Sequence, residues 1–224
     1  NRLGFSEETL PQLCTILQDT EYVKVQSVFT HLAASEDEVE DEFTLHQFSV
    51  FEKMNTAIKQ VVPYPILTHI ANTAAIMRFP NLQLNMVRLG IGLYGVGNNS
   101  WGLQPAITFK STIAQIKYLK KGDTVSYNRK GIIEKDTTIA TIRLGYADGY
   151  SRKFGYGNGE MLVNGVLAPV IGTVCMDMTM IDVSHVPNVQ AGNEVIIFGK
   201  NPTVISLAKK LDTIPYEIMT NISQ

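Results

Sequence analysis

Near Gly95 the chain changes its repeat, and that change limits what it can fold into more than any other feature. Before it, strand-like runs alternate with helical patterns; after it, short β-rich runs follow one another with Gly, Asp and Asn between them. A parallel strand pair needs a crossover, usually a helix, so the first part reads as α/β. Closely spaced short strands read as an antiparallel β domain. Gly97-Asn98-Asn99-Ser100 reads as the linker, and the expected domains are residues 1–102 and 103–224.

In the first region Ser6 reads as an N-cap, with Glu7 and Glu8 in the first turn and Leu10, Leu13, Cys14 and Leu17 at helical spacing. Tyr22 to Leu32 reads as a strand. Ser35 then caps an acidic helix start, Glu36 to Glu42, and Phe43, Phe48, Phe51, Met54 and Ile58 carry that helix onward. Pro65 to Ile70 is a second strand leading into a strand-to-helix turn at Ala71 to Ala75, and Met86 to Leu93 is a third. In the second region strands are expected over Ala106–Tyr118, Thr137–Leu144, Glu160–Val163, Val166–Gly172, Met178–Val183 and Glu194–Phe198, with a helix over Val204–Leu211. Roughly 100 residues with about three βα units cannot close an eight-stranded barrel, which takes ~250 residues. An open sheet of that size would leave an unpaired edge. Together with the start at Asn1 without Met, this reads as the second half of a barrel in a longer parent chain.

Composition excludes several classes. With 224 residues and 45% hydrophobic content the chain can bury a core, while a net charge of -2 offers nothing to track a phosphate backbone. No apolar run approaches the roughly 18 residues that span a bilayer, and no signal pattern opens the chain, so a cytoplasmic protein with neither nucleic-acid nor membrane partner is expected. The two cysteines, Cys14 and Cys175, form no disulfide framework and no metal-ligand spacing, so no metal is expected and both read as small core side chains.

Three short motifs punctuate the second region: Val125-Ser126-Tyr127-Asn128, Leu144-Gly145-Tyr146-Ala147-Asp148-Gly149-Tyr150 and Gly172-Thr173-Val174-Cys175-Met176-Asp177-Met178. Each sits at a turn or strand end, where rigid scaffolds present chemistry. Taken singly, Tyr146 and Tyr150 fit strand aromatics, His31 fits a satisfied histidine at a strand end, and Met176 fits a core methionine.

Taken together with Asn1-Arg2-Leu3-Gly4-Phe5, Thr30-His31-Leu32-Ala33, His69 to Ala75, Val87 to Gly95 and Ile214-Pro215-Tyr216-Glu217, the motifs make the whole chain resemble alanine racemases, fold-type III pyridoxal-phosphate enzymes. The resemblance implies part of a (β/α) TIM-type barrel followed by an antiparallel β domain. It also implies interconversion of L- and D-alanine for peptidoglycan, in a homodimer with composite sites. The family's cofactor lysine lies in a Lys-Ala-x-Ala-Tyr-Gly motif, and no lysine of this chain has that context. This chain alone is therefore expected to be inactive.

Inverting an α-carbon takes one acid/base group on each face of the substrate. By resemblance one is the cofactor lysine and the other is Tyr127. A tyrosine with pKa near 10 is a poor base at neutral pH unless positive charge stabilises its phenolate. The resemblance supplies a chain from Arg88 through His31 to the tyrosine. Arg88 is also expected at the cofactor's ring nitrogen, where a guanidinium donates without giving up its proton. Arg2 and the Met176 backbone N–H are implied for the substrate carboxylate. Thr73, with Asn72 beside it, Gly90, Ile91 and Tyr216 are implied for the cofactor, the hydroxyls and amides standing in for lysine at the phosphate. Tyr146 and Arg152 line the substrate corridor in the family, where Thr173 stands in place of a common arginine. Tyr127, Tyr146 and Met176 are implied to act in the partner subunit's site. A serine or broad-specificity racemase and a non-catalytic partner module are the alternatives. The first would differ in pocket size; the second would have no need for Tyr127, His31, Arg88 and Tyr216 together.

Overall fold

Residues 2–222 are described in the computed structural model, apart from the side chain of Asn99. Asn1 of the opening stretch, and Ser223 and Gln224 at the other end, lie outside the described residues. The chain divides into two units, one made of Asn1–Leu93 and Gly97–Leu103, the other of Tyr94–Val96 and Gln104–Gln224.

The first unit runs α1 (Leu10–Asp19), β1 (Ser27–Phe29), α2 (Asp41–Val61), β2 (Leu67–His69) and α3 (Thr73–Arg78). β1 and β2 are parallel, with Ser27 opposite Leu67 and Phe29 opposite His69, and α2 makes the crossover that this pairing requires. Phe51 of α2 packs with Ile70 and Ala71, just past β2, and with Leu32 and Ala75 in one buried cluster. One turn pair along α2, Ile58 joins Val62 and Ile66 against Leu10, Leu13, Cys14 and Leu17 of α1. The helical spacing read in the sequence is therefore the spacing of the buried stripes, and Cys14 packs as a small apolar side chain.

Several boundaries differ from the expectation. α1 starts at Leu10, not after Ser6, because Pro11 in its first turn suits a helix start and Glu7 lies before it. The 3-10 turn Glu38–Glu40 ahead of α2 is capped by Asp37, whose side chain accepts from the Val39 N–H, not by Ser35. Ser35 is fully buried and donates instead to Asn72 Oδ1 at 2.9 Å. The strand expected over Tyr22–Leu32 shrinks to Ser27–Phe29, since the Val25 N–H goes to the Tyr64 hydroxyl at 2.8 Å and not to a ladder. The strand expected over Met86–Leu93 is absent from the described residues. Asn85 and Arg88 donate their N–H groups to Thr68 and Ala71, a three-residue step that cannot propagate the two-residue alternation of a sheet.

The second unit is built on a six-stranded antiparallel sheet in the order β8-β7-β10-β3-β6-β9: β3 (Phe109–Leu119), β6 (Thr137–Ile142), β7 (Glu160–Val163), β8 (Val166–Pro169), β9 (Thr179–Asp182) and β10 (Glu194–Phe198). Its buried positions alternate along β7 and β9, which makes their period-two pattern readable, whereas β6 buries the consecutive pair Ile139 and Ala140. Two further strands of two residues each, β4 (Thr124–Val125) and β5 (Gly131–Ile132), pair antiparallel and fall below any periodicity window. Helices α4 (Val204–Lys210) and α5 (Pro215–Thr220) close the unit. No helix among the described residues is long and apolar enough to cross a membrane.

Candidate active site

In the first unit the site is assembled where the two parallel strands end. Asn72 caps α3, its Oδ1 accepting from Ala75 N–H at 3.0 Å and from the Ser35 hydroxyl. That use of the carboxamide makes Asn72 a support for the strand-to-helix turn. The next residue, Thr73, is buried, and its Oγ1 accepts the N–H of Gly90 at 3.1 Å and of Gly92 at 3.2 Å. Thr73 and Gly90 are thus brought into direct contact, and the Gly90 amide is already paired with the hydroxyl. A Cβ on Gly92 would lie 2.6 Å from Thr73 Cγ2, so a larger residue there would have to displace the Thr73 side chain.

Arg88 is the hub. Its backbone N–H reaches Ala71 O at 2.8 Å. One terminal nitrogen, Nη2, donates to Thr30 O at 3.0 Å and lies 3.5 Å from His31 Nδ1. The other, Nη1, is 2.5 Å from His69 Nδ1. The guanidinium also stands over the Phe29 ring at 5.0 Å, and Phe29 stacks on His69 with ring centroids 4.9 Å apart. Every partner is neutral: among the described residues Arg88 has no carboxylate, and its Nε–H is donated to no group.

A permanent donor beside each Nδ1 requires both imidazoles to accept there, so the neutral form with its proton on Nε2 is assigned to each. Burial first, and then the Arg88 charge, lower the pKa of His69. For His31 burial again leads, followed by Arg88 and Arg2, with Glu36 opposing. Burial also pulls Arg88 below its ordinary value. His69 had no assigned role in the sequence reading. Its signal was available in the echo between Thr30-His31-Leu32-Ala33 and Thr68-His69-Ile70-Ala71, one at the exit of each parallel strand.

In the second unit the three motifs converge on one of them. Gly145 packs so closely on the Met176 carbonyl that no side chain fits, and the N–H groups of Tyr146 and Ala147 go to Cys175 O and Met176 O, each at 3.0 Å. Asp148 closes this turn by accepting the Gly145 N–H at 2.8 Å, which leaves Tyr146 and Met176 side by side and exposed. The Met176 N–H is donated to no group among the described residues. From the other side, Ser126 and Thr173 exchange two hydrogen bonds and tie the β4–β5 turn, with Tyr127 at its head, to the same segment. Tyr127 is 70% exposed. Arg152 is exposed on a 3-10 turn after the second motif, and Tyr216 is exposed at the start of α5. Tyr150, by contrast, is buried against Phe154 with ring centroids 4.5 Å apart, which makes it a core aromatic; burial and then Glu160 push its pKa far up. Thr173, expected in a substrate corridor, is 5% exposed and bonds the Tyr156 hydroxyl at 2.8 Å. Among the described residues no three His, Cys, Asp or Glu side chains cluster as metal ligands.

Two family models match: "Alanine racemase, N-terminal domain" over residues 1–98 and "Alanine racemase, C-terminal domain" over residues 106–224. Alanine racemase 1 of Clostridium acetobutylicum is 36% identical over 235 residues, covering 100% of this chain and 60% of that protein. Alanine racemase 2 of Caldanaerobacter subterraneus is 38% identical over 233 residues with the same coverage. Among solved structures, the alanine racemase of Clostridium difficile 630 in complex with cycloserine superposes with a TM-score of 0.88 at 36% identity, over 97% of this chain and 59% of that one. The alanine racemase of Bartonella henselae with covalently bound pyridoxal phosphate gives a TM-score of 0.89 at 26% identity, over 100% of this chain and 62% of that one. This chain spans about 60% of the length of the curated relatives it matches. On these matches, and on the strand-end cluster and converging turns that accompany them, the chain belongs to the alanine racemase family.

Proposed function

We propose that the chain is part of a cytoplasmic alanine racemase that interconverts L- and D-alanine for peptidoglycan synthesis with pyridoxal phosphate. The observation that carries this reading is the Arg88 cluster: a half-buried guanidinium fixed on both terminal nitrogens by neutral groups, with its Nε–H left over. Such a donor fits the ring nitrogen of pyridoxal phosphate, because it donates a hydrogen bond without giving up the proton. The Thr73 hydroxyl and the amides of Gly90 and Ile91 fit the phosphate, with Tyr216 as a further hydroxyl, and a phosphate at Gly90 exchanges places with Thr73 as that amide's partner. When bound, pyridoxal phosphate supplies an electron sink that makes the substrate's α-proton removable.

This chain's residues then divide the work. Arg2 and the Met176 N–H hold the substrate carboxylate, for which a planar fork of donors is suited. Tyr127 takes or returns a proton on one face of the α-carbon, and His31, held at Nδ1 by Arg88, presents Nε2–H toward the phenol oxygen. The group on the other face is a lysine whose motif this chain does not contain. Tyr146 and Arg152 select what reaches the site. We propose a homodimer in which Tyr127, Tyr146 and Met176 of one protomer complete the Arg88 and His31 cluster of its partner, with domains at residues 1–102 and 103–224.

The test is racemisation of L-alanine by the full-length protein, followed by chiral chromatography, alongside this chain alone. Activity in the first and none in the second is expected; a full-length protein that racemises serine faster than alanine would overturn the substrate. Thr73→Ala, which removes the hydroxyl proposed for the phosphate, is expected to weaken cofactor binding by about 10- to 150-fold, the worth of one hydrogen bond to a charged group, read by absorbance titration.

A further inference from the structure

We propose that Ser126 is a positioning residue that aims Tyr127, by locking the backbone in front of it to Thr173. Ser126 lies between β4 and Tyr127 at φ 73° and ψ 178°, a backbone region occupied almost only by glycine. Glycine would sit there without strain, so the conformation itself does not call for serine. What serine adds is the hydroxyl. Its Oγ donates to Thr173 O at 3.0 Å and accepts the Thr173 N–H at 3.0 Å, so one side chain satisfies both backbone groups of a residue on the facing segment.

The seat leaves no slack. A Cβ on Gly172, itself at φ 65°, would lie 2.8 Å from Ser126 Cβ, and one on Gly131 would lie 2.9 Å from Val125 O. Thr173 is held from behind by the Tyr156 hydroxyl at 2.8 Å. Beyond Tyr127, Asn128 and Arg129 are also left-handed, at φ 57° and 55°. Tyr127, 70% exposed and with its hydroxyl unpartnered among the described residues, has little packing to orient it. Its direction is therefore set by the backbone that Ser126 pins. Because Thr173 stands three residues before Met176, the same clamp fixes the tyrosine relative to the Met176 amide.

The inference rests on the racemase reading, and the experiment separates the two. In the full-length protein Ser126→Gly relieves the backbone and removes both hydrogen bonds; Ser126→Ala removes the bonds and keeps the strain. Both variants are expected to lose on the order of 10- to 100-fold in kcat, as a misplacement near 1 Å does. The melting temperature of Ser126→Gly should be no lower than that of the parent. The primary isotope effect with C2-deuterated alanine should rise for one antipode only, since only one face loses its aligned base. A Ser126→Gly enzyme with parental kcat, or isotope effects that change equally for both antipodes, would overturn the proposal. Should the parent protein fail to racemise alanine, the functional reading falls, and amide exchange at Thr173 still decides the clamp: faster exchange in Ser126→Gly supports it, unchanged exchange overturns it.

Discussion

Arg88 shows how much of the site is decided by single side chains. A half-buried cation usually has a carboxylate partner, and here it has carbonyls, two imidazoles and an aromatic face instead. The charge is kept in place without being neutralised, so it remains available to a ligand. Burial first, and this charge second, favour neutral His31 and His69. Both folded-state pKa values lie below the ordinary 6.5. The unfolded chain therefore binds more protons on acidification, and the histidine contribution to stability is present above about pH 6.5 and lost as pH falls through the folded values. Unfolding temperatures of the full-length protein measured from pH 7.5 to pH 5 are expected to fall below about 6.5, and less so in His69→Asn. Replacing Arg88 with Met removes the second-largest cause, so the imidazoles should titrate closer to 6.5 by NMR. Histidine titrations that do not move in Arg88→Met would contradict this account of the cluster.

Among the elements, turns rather than strands present the chemistry. The strand-to-helix turn at Asn72 is held by a carboxamide used twice, and Asn72→Ala should cost about 1–2 kcal/mol, the worth of a helix cap, in denaturant unfolding. A cost below about 0.3 kcal/mol, within the few tenths by which contact energies are uncertain, would mean that the cap is redundant. The turn at Gly145 admits no Cβ against the Met176 carbonyl, so Gly145→Ala should separate Tyr146 from Met176 and lower racemisation at least tenfold, with Gly157→Ala, in open space at φ 80°, as the strained control. Much of this was legible. Strands β7 and β9 follow period-two burial, and α2 and α4 follow helical spacing, so these elements are readable at their centres; the other sheet strands are readable as short β-rich runs between turn residues. Met86–Leu93 has the composition of a strand and forms none, because an apolar run carries no information on whether its amides meet a ladder. The β4–β5 hairpin was missed because two residues have no period. Likewise, the motifs around Tyr127 and Met176 were visible as residue types, whereas the Ser126–Thr173 exchange depends on a backbone angle that serine does not advertise.

At the scale of the whole molecule, the two units carry complementary chemistry. One holds a cation, two neutral imidazoles and a hydroxyl beside loop amides; the other presents an exposed tyrosine beside an undonated amide. Neither set alone can invert a stereocentre, which takes two opposed proton carriers and an electron sink. Tyr127 is proposed to serve one face of alanine only. Proton exchange at the α-carbon of each alanine antipode in deuterated water, catalysed by the full-length protein carrying Tyr127→Phe, decides whether it does. Racemisation is expected to fall by about 10²–10⁴-fold, the usual worth of one acid/base group, while one antipode still exchanges its α-proton with retention. Racemisation at the parental rate, or equal loss of exchange for both antipodes, would contradict it.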